Sequence, residues 1–259
     1  MYDMSVELCD DKITQIGIQS IVDFYQTLAK DKRQFSEGEA FFTGIKSPFL
    51  NVYFDLRQDR KDSALLVETV NQFFSQQQVP WTWFVMPASK NHDLTRHGLS
   101  FLEEAPALYF DLSNPLPDFE SDFIRIEEVD GLSDLKEWIQ PVNEGFQIKA
   151  NDEDYRILNA HVMKKDNKKI RHFIAYYKDK IAAAGTLFVS KESVMLHNLA
   201  TKTKFKKLGL GTALTLRMMK EAKAMTFQHC FLDSSDEAFN LYKRIGFKVY
   251  CTTSIYIKS

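Results

Sequence analysis

The sequence predicts a mixed α/β protein built from two parts of similar size. Three observations lead to this prediction. Segments with helical periodicity alternate with short β-rich runs along the chain. A polar, acidic stretch with two prolines, "LSNPLPDFESD" at 112–122, interrupts this alternation and has the composition of a linker. Behind it, consecutive β-rich runs lead into a helix that begins with two glycines.

The first part, residues 1–111, is predicted to alternate helices and strands. "IQSIVDFYQTLAK" places its apolar residues on one helical face, and "SALLVETVNQFFSQQQ" is an amphipathic helix. The runs "PFLNVYFDL", "PWTWFVMP" and "PALYFDL" are typical of strands, whereas "DLTRHGLSFLEEA" indicates a short helix.

The second part, residues 123–259, opens with a predicted strand at 123–129. Two helices follow, "LSDLKEWIQPVNEGF", which we expect Pro141 to bend or end, and "DEDYRILNAHVMKK". "RHFIAYY", "IAAAGTLFV" and "VMLHNLAT" predict a three-strand meander joined by polar turns. The glycine-led helix comes next, then strand "HCFLDSS", helix "DEAFNLYKRIG" with Gly246 as its C-terminal cap, and strand "FKVYCTTSIYI".

Composition excludes several classes of protein. The 259 residues carry a formal net charge of −2, which argues against a dedicated nucleic-acid binder. The three cysteines are scattered without a C-x-x-C pair, so neither a zinc site nor a disulfide framework is supported, and no metal is expected. No apolar run approaches the roughly 20 residues of a membrane span, and the N-terminus lacks the apolar core of a signal peptide. We therefore expect a cytoplasmic protein that binds neither nucleic acid nor membrane.

The stretch "FKKLGLGTALTLRMMKEA" at 205–222 predicts an anion site. Glycine costs roughly 1 kcal/mol against alanine inside a helix, so two glycines at a helix start suggest a use. The chain contains no G-x-x-x-x-G-K-S/T string, and Leu214 stands where a dinucleotide fingerprint needs its third glycine. Two interpretations remain. One is a nest of main-chain N–H groups at a helix N-terminus, where the helix dipole and close backbone approach favour a diphosphate; the other is a plain helix-start turn without a ligand.

The order of these elements resembles the GNAT superfamily of acyl-CoA-dependent N-acyltransferases. Its signature is Arg/Gln-x-x-Gly-x-Gly/Ala between the fourth strand and the third helix, with L-Y-x-x-x-G-F near the end. Here the two motifs are Lys206–Gly211 and Leu241–Phe247, and the resemblance covers roughly residues 123–259. Lys206 departs from the Arg or Gln of the first motif position. The resemblance implies a GNAT fold in the second part and acetyl-CoA as acyl donor.

The resemblance also implies which residues bind coenzyme A. The fourth strand's main chain would hold the pantetheine arm and the thioester, and the glycine loop would hold the pyrophosphate. Ser235 takes a place often held by an asparagine near the cofactor, and it also suits a helix N-cap. The predicted binding residues are Leu199, Ala200, Thr201, Lys206, Lys207, Leu208, Gly209, Leu210, Gly211, Thr212 and Ser235.

Two side chains are candidates for proton transfer. Tyr242 matches the family's tyrosine that protonates the departing thiolate, and the alternative is a packing tyrosine. His197 stands where many relatives carry a carboxylate base; a neutral imidazole can act near pH 7, although a lone strand histidine is often structural. Glu192 is a weaker alternative as base.

The first part resembles the partial, degenerate GNAT-like α/β unit of some two-domain bacterial members, with an unrelated α/β domain as the alternative. The implied function is acetyl transfer to a primary amine of a small molecule or peptide. The alternative is a catalytically inactive CoA-binding or interaction protein on the same fold. A homodimer is compatible with the sequence.

Overall fold

A computed structural model describes residues 5–8, 10–57, 64–87, 94–146 and 169–258. The chain forms two compact units, the first comprising Met1–Ala107 with Val249–Ser259 and the second Leu108–Lys248. This division differs from the predicted boundaries at two places. The boundary precedes the proposed linker at 112–122, and the C-terminal segment belongs to the first unit. The predicted helix at 152–165 lies outside the described residues.

Among the described residues, the first unit contains two helices and six strands. Its elements are α1 (Asp11–Leu28), β1 (Asp31–Phe35), β2 (Gly38–Phe42), β3 (Val52–Asp55), α2 (Ala64–Ser75), β4 (Trp81–Val85), the larger part of β5 (Ser100–Asp111) and most of β11 (Lys248–Lys258). The strand order is β1-β2-β3-β4-β11-β5; β3 and β4 are parallel, and the pairs β1–β2, β2–β3 and β4–β11 are antiparallel. Pairing of β11 with β4 explains why the C-terminal segment belongs here.

The two helices of the first unit pack on opposite faces of the sheet, against alternate side chains of β3 and β4. On one face, Tyr25 of α1 packs against Phe54 and Phe84, with ring centroids 5.3 and 6.3 Å away. On the other face, α2 contributes Val70 and Phe74 to a cluster with Tyr53, Trp81 and Trp83, among others. Because successive side chains of a strand point to opposite faces, both sides of these buried strands are apolar.

Two predictions for the first unit were wrong, both for reasons of tertiary pairing. Strands β1 and β2 were not predicted, because β1 is a largely exposed edge strand of polar residues. The predicted helix near residues 93–105 is only a short 3₁₀ turn, Thr95–His97, after which β5 begins at Ser100. Phe101 and Glu104 of β5 contact Tyr256 and Ser254 of β11, a partner that local periodicity cannot reveal.

The second unit contains the meander and the glycine-led helix as predicted. Its elements are β6 (Ile124–Glu128), α3 (Leu132–Phe146), β7 (Ile170–Tyr177), β8 (Lys180–Val189), β9 (Ser193–Thr201), α4 (Leu210–Ala224), β10 (His229–Asp233) and α5 (Asp236–Ile245). The strand order is β10-β9-β8-β7-β6; β9 and β10 are parallel, and the pairs β8–β9, β7–β8 and β6–β7 are antiparallel. The predicted cap at Gly246 is confirmed: its φ is 111°, and its N–H donates to Tyr242 O and Lys243 O.

Helix α3 continues through Pro141 instead of ending there. Proline removes one intrahelical hydrogen bond, but packing of an apolar face outweighs local propensity. Trp138, Ile139 and Val142 are buried on either side of the proline. This helix packs against β8 and β9 and, as described below, contacts the residues that precede the glycine loop.

Candidate active site

Strands β9 and β10 separate at their carboxyl ends. Their parallel pairing runs from Ser193↔His229 to Leu196↔Leu232 and stops there, although β9 continues to Thr201. The main chain from His197 to Thr201 is therefore paired with β8 on one side only. This opening lies at the carboxyl end of parallel strands, the usual place for a ligand in open α/β sheets.

A β-bulge accompanies the opening. Ala184 pairs with Ala200 and Thr186 with His197, so Gly185 alone faces two residues of β9, Asn198 and Leu199. Asn198 adopts a φ of 53°, a left-handed conformation that asparagine tolerates better than most residues. The bulge redirects the main chain of Leu199, Ala200 and Thr201, which are the residues predicted to hold the pantetheine arm and thioester.

The glycine loop forms an uncapped helix start. Gly209 is the N-cap residue of α4 with a φ of 85°, and no side chain of the described residues caps the helix there. The first helical N–H groups, from Leu210 to Thr212, therefore point out of the helix end without a side-chain acceptor. A Cβ atom at Gly209 would lie 2.7 Å from the Phe119 ring, so both conformation and space require glycine. This geometry fits a diphosphate.

Gly211 has a packing role. A Cβ atom at this position would lie 2.8 Å from Cδ1 of Leu241 in α5. Glycine therefore allows α5 to approach the first turn of α4 closely. Since Leu241 precedes Tyr242, this contact brings the predicted catalytic helix next to the predicted phosphate loop.

Two lysines at the loop, Lys202 and Lys206, contact polar side chains of neighbouring helices. Lys206 Nζ lies 2.8 Å from Glu237 Oε1 of α5 in an exposed ion pair. At the loop's beginning, the Glu144 carboxylate accepts a hydrogen bond of 2.7 Å from Thr203 N. Lys202 Nζ donates to Gln140 Oε1 at 3.0 Å. The C-terminal turns of α3 thus hold the entry to the loop.

Helix α3 also touches β9 directly. A Cβ atom at Gly145 would lie 2.8 Å from Cβ of Ala200 and 3.7 Å from Thr201 N. The missing side chain allows α3 to lie against the strand that carries the predicted thioester site. Sequence reasoning did not single out Gly145 or Glu144, because their role depends on a contact between distant elements.

Tyr242 is buried in α5, with 5% of its surface exposed. Its ring packs edge-on against Phe247 at a centroid distance of 5.9 Å. Burial raises the pKa of the Tyr242 hydroxyl above its usual value, so the group keeps its proton at neutral pH. A protonated hydroxyl is what a proton donor to a thiolate requires.

The two predicted bases, His197 and Glu192, are less suited to their role than Tyr242 is to that of proton donor. Burial lowers the pKa of His197 to about 3, so its imidazole holds a proton too weakly to act as a base near pH 7. Glu192 precedes the first residue of β9, at the end opposite to the opening. At roughly 3.3 Å per residue, the length of the strand separates Glu192 from Thr201.

Ser235 occupies the N-cap position of α5, but its side chain makes no capping hydrogen bond. Its carbonyl oxygen instead accepts from Ala238 N and Phe239 N, both at 3.1 Å. The predicted capping role of the hydroxyl is therefore corrected. The position remains at the carboxyl end of β10, beside the opening.

Asp233 is a candidate site residue that sequence reasoning missed. It is the last residue of β10 and follows the last β9–β10 pair. The residue remains exposed to solvent, yet desolvation by the surrounding protein raises the pKa of its carboxyl to about 7. A titratable group with its pKa near neutrality at the mouth of a cleft is a candidate for proton transfer. The run "HCFLDSS" gave no local signal of this environment.

In the described parts of the chain, no group of three or more His, Cys, Asp or Glu side chains is placed to hold a metal ion. None of the helices in those parts combines the length and apolar character of a membrane span.

Comparison with known proteins confirms the predicted family. Residues 143–255 match the model of the acetyltransferase (GNAT) domain. The match places a GNAT domain at residues 143–255, and acetyl-CoA-dependent acyl transfer is general to that family. A search of curated proteins found no match to the chain.

Solved structures show the same fold over most of the chain. A GCN5-related N-acetyltransferase from Kribbella flavida matches with a TM-score of 0.72 and 12% identity, covering 95% of this chain and 94% of that one. A GCN5-related N-acetyltransferase from Sphaerobacter thermophilus has a TM-score of 0.65 and 14% identity, covering 86% and 76%. A tandem GNAT protein of the clavulanic acid biosynthesis pathway has a TM-score of 0.57 and 10% identity, covering 98% and 89%.

Proposed function

We propose that the protein transfers an acetyl group from acetyl-CoA to a primary amine of a small molecule or peptide. The separation of β9 and β10 beside an uncapped, glycine-led helix start carries this proposal. The main chain of Leu199–Thr201 would hold the thioester and pantetheine arm, and the N–H groups that follow Gly209 would hold the pyrophosphate. The donor supplies an already activated acyl group, so positioning accounts for much of the rate.

The reaction is a direct transfer. The amine nitrogen forms a bond to the thioester carbonyl carbon, the carbon–sulfur bond breaks, and the amine loses one proton while the thiolate gains one. Tyr242 is the proposed donor to the thiolate, because burial keeps its hydroxyl protonated. Asp233 replaces His197 as the proposed acceptor of the amine proton, because the pKa of its carboxyl lies at about 7.

One observation favours a second candidate function, a CoA-binding protein without catalysis. Lys206, which replaces the family's Arg or Gln, is held by Glu237 at 2.8 Å instead of facing the loop alone. This ion pair places a carboxylate at the edge of the proposed pyrophosphate site, where it would weaken anion binding.

Thiol release with a panel of primary amines distinguishes the two functions. We expect acetyl-CoA to bind and at least one small amine or peptide to release free CoA in step with N-acetyl product. Binding without turnover on any amine supports the inactive protein, and no binding contradicts both. In an active enzyme, Asp233→Asn is expected to remove an inflection near pH 7 from the pH profile of kcat/KM.

A further inference from the structure

A buried polar cluster lies directly behind the β9 bulge. His172 of β7 and Thr186 of β8 are register partners, and Thr186 is in turn the partner of His197. Side chains that face each other across strands lie on the same face of the sheet. The Nδ1 atom of His172 lies 2.9 Å from Thr186 Oγ1, and Asn198 Nδ2 donates to the same oxygen at 3.3 Å. One hydroxyl thus connects the bulge residue to the second strand away from it.

Helix α3 contributes one further side chain to the cluster, that of Trp138. Trp138 Nε1 donates a hydrogen bond of 3.1 Å to the carbonyl oxygen of Gly185, the residue that faces the bulge. The Trp138 and His172 rings pack at a centroid distance of 4.2 Å. The four side chains Trp138, His172, Thr186 and Asn198 are called the bulge network below.

Three of the four side chains are almost entirely inaccessible to solvent, with Thr186 at 0% exposure, Trp138 at 1% and His172 at 3%, whereas Asn198 is partly exposed. Such burial is costly for polar groups unless they make hydrogen bonds, so a purely structural core at this place would be better served by apolar residues. Burial also lowers the pKa of His172 to about 3, which keeps the ring neutral over the working range of pH. The network therefore supplies fixed geometry without a titrating charge.

We propose that the bulge network is a positioning device that holds the main chain of Leu199–Thr201 in the geometry required for acetyl transfer. Its members do not touch the reacting atoms. They act through Asn198, whose left-handed conformation sets the direction of the strand that follows. For its effect on turnover this inference rests on the proposed function, but its structural claim does not.

Thr186 offers a clean test, because valine keeps the shape of threonine and removes the hydroxyl, while serine keeps the hydroxyl. Thr82 is a matched control in the first unit: it is also fully buried, and its hydroxyl donates to Pro48 O at 3.1 Å. Amide hydrogen exchange of residues 197–201 reports on the bulge without any ligand.

In Thr186→Val we expect the amide hydrogens of residues 197–201 to exchange at least about tenfold faster than in wild type. In Thr186→Ser and Thr82→Val their exchange rates should stay within about twofold of wild type. Should Thr186→Val fail to fold, Trp138→Phe, which keeps the ring against His172 but loses the N–H donor, is expected to give the same local effect. A folded Thr186→Val or Trp138→Phe protein with wild-type exchange in 197–201 overturns the proposal, as does an equal increase throughout the second unit.

Turnover then separates positioning from stability. Thr186→Val is expected to lower kcat at least about tenfold while the Kd of acetyl-CoA stays within about threefold, because the glycine loop is untouched; Thr186→Ser restores kcat. Equal kcat in Thr186→Val and wild type contradicts the proposal. If wild type binds no acetyl-CoA or acetylates no amine, the proposed function fails, and the exchange experiment still decides about the network.

Discussion

Both units contain a strand, a helix and a parallel strand in the same order, yet the two parallel strands separate at their carboxyl ends in the second unit and stay paired in the first. In the first unit β3–α2–β4 is paired along the whole of β3, from Val52↔Thr82 to Asp55↔Val85. In the second unit β9–α4–β10 is paired only as far as Leu196↔Leu232, and β9 continues to Thr201. The order of elements therefore does not by itself create a binding site.

What closes the first unit is visible at the end of β3. Asp55 is fully buried, and its carboxylate is bound by Arg57 through two hydrogen bonds of 2.8 and 2.9 Å. The sequence between β3 and α2, "LRQDRKDS", contains no glycine. In the second unit, by contrast, the strand bulges at Asn198 and the helix follows the N-cap residue Gly209. The difference teaches that the opening depends on a few backbone conformations and not on the topology.

Replacing the tyrosine of α5 has the largest expected effect and tests whether the second unit performs the chemistry. Tyr242→Phe removes one hydroxyl and keeps the packing against Phe247. General acids contribute about 10²–10⁴-fold, and because thiolate is a good leaving group we expect a loss of roughly 100-fold in turnover. Acetyl-CoA affinity should stay within about twofold, since the charge develops only during the reaction.

Turnover and calorimetric binding measured on the same preparation check this prediction. Wild-type turnover by Tyr242→Phe, with product release shown to be fast, would make Tyr242 a packing residue.

Acid stability sharpens the comparison, because both histidines with a lowered pKa among the described residues, His172 and His197, lie in the second unit. The folded state resists protonation of His172 down to about pH 3, whereas the unfolded chain takes up the proton near pH 6.5. Stability is therefore fully present above about pH 6.5 and is lost as the pH falls towards 3.

Between pH 7 and pH 5 we expect wild type to lose about 2 kcal/mol more free energy of unfolding than His172→Gln. Denaturant unfolding at the two pH values measures this difference, with pH 7 and pH 8.5 as a pair between which the two proteins should change alike. An identical acid loss in both proteins would show that His172 is not held neutral.

Sequence patterns predicted the second unit better than the first for a physical reason. The meander, the glycine-led helix and Gly246 leave local signals, because alternation, turn residues and left-handed caps are properties of neighbouring residues. The β1–β2 hairpin was missed because β1 is a polar, exposed edge strand, and the early start of β5 was missed because its partner β11 lies far along the chain. The position of the opening, at the end of the fourth strand of the second part, was predicted. The proposed roles of Asn198, Gly145 and Asp233 depend on contacts that no local pattern encodes.

The ion pair at the loop provides the smallest expected effect. Glu237→Gln removes the carboxylate that holds Lys206, and exposed ion pairs contribute only about 0.2–1 kcal/mol. We expect acetyl-CoA affinity to rise by at most about fivefold, with the gain shrinking as salt is added. In a Lys206→Met background, Glu237→Gln should give a smaller gain in acetyl-CoA affinity. Equal gains in both backgrounds, measured by titration, would show that Lys206 plays no part.

Calorimetric titration of the full chain with acetyl-CoA tests most directly whether the second unit alone carries the site. Two glycines form a matched pair for this purpose: Gly209 in the second unit has a φ of 85°, and Gly44 in the first has a φ of 88°. Alanine at either position introduces comparable backbone strain, roughly 1–2 kcal/mol. At Gly209 the added Cβ atom also meets the Phe119 ring at 2.7 Å, whereas at Gly44 it meets the Lys30 side chain at 3.3 Å. Of the two, Gly209 lies in the proposed pyrophosphate loop.

We predict one acetyl-CoA per chain, at least about a tenfold weaker Kd in Gly209→Ala, equivalent to roughly 1.4 kcal/mol, and a Kd within about twofold of wild type in Gly44→Ala. Two acetyl-CoA molecules per chain, or equal binding by folded Gly209→Ala and wild-type protein, would contradict the account.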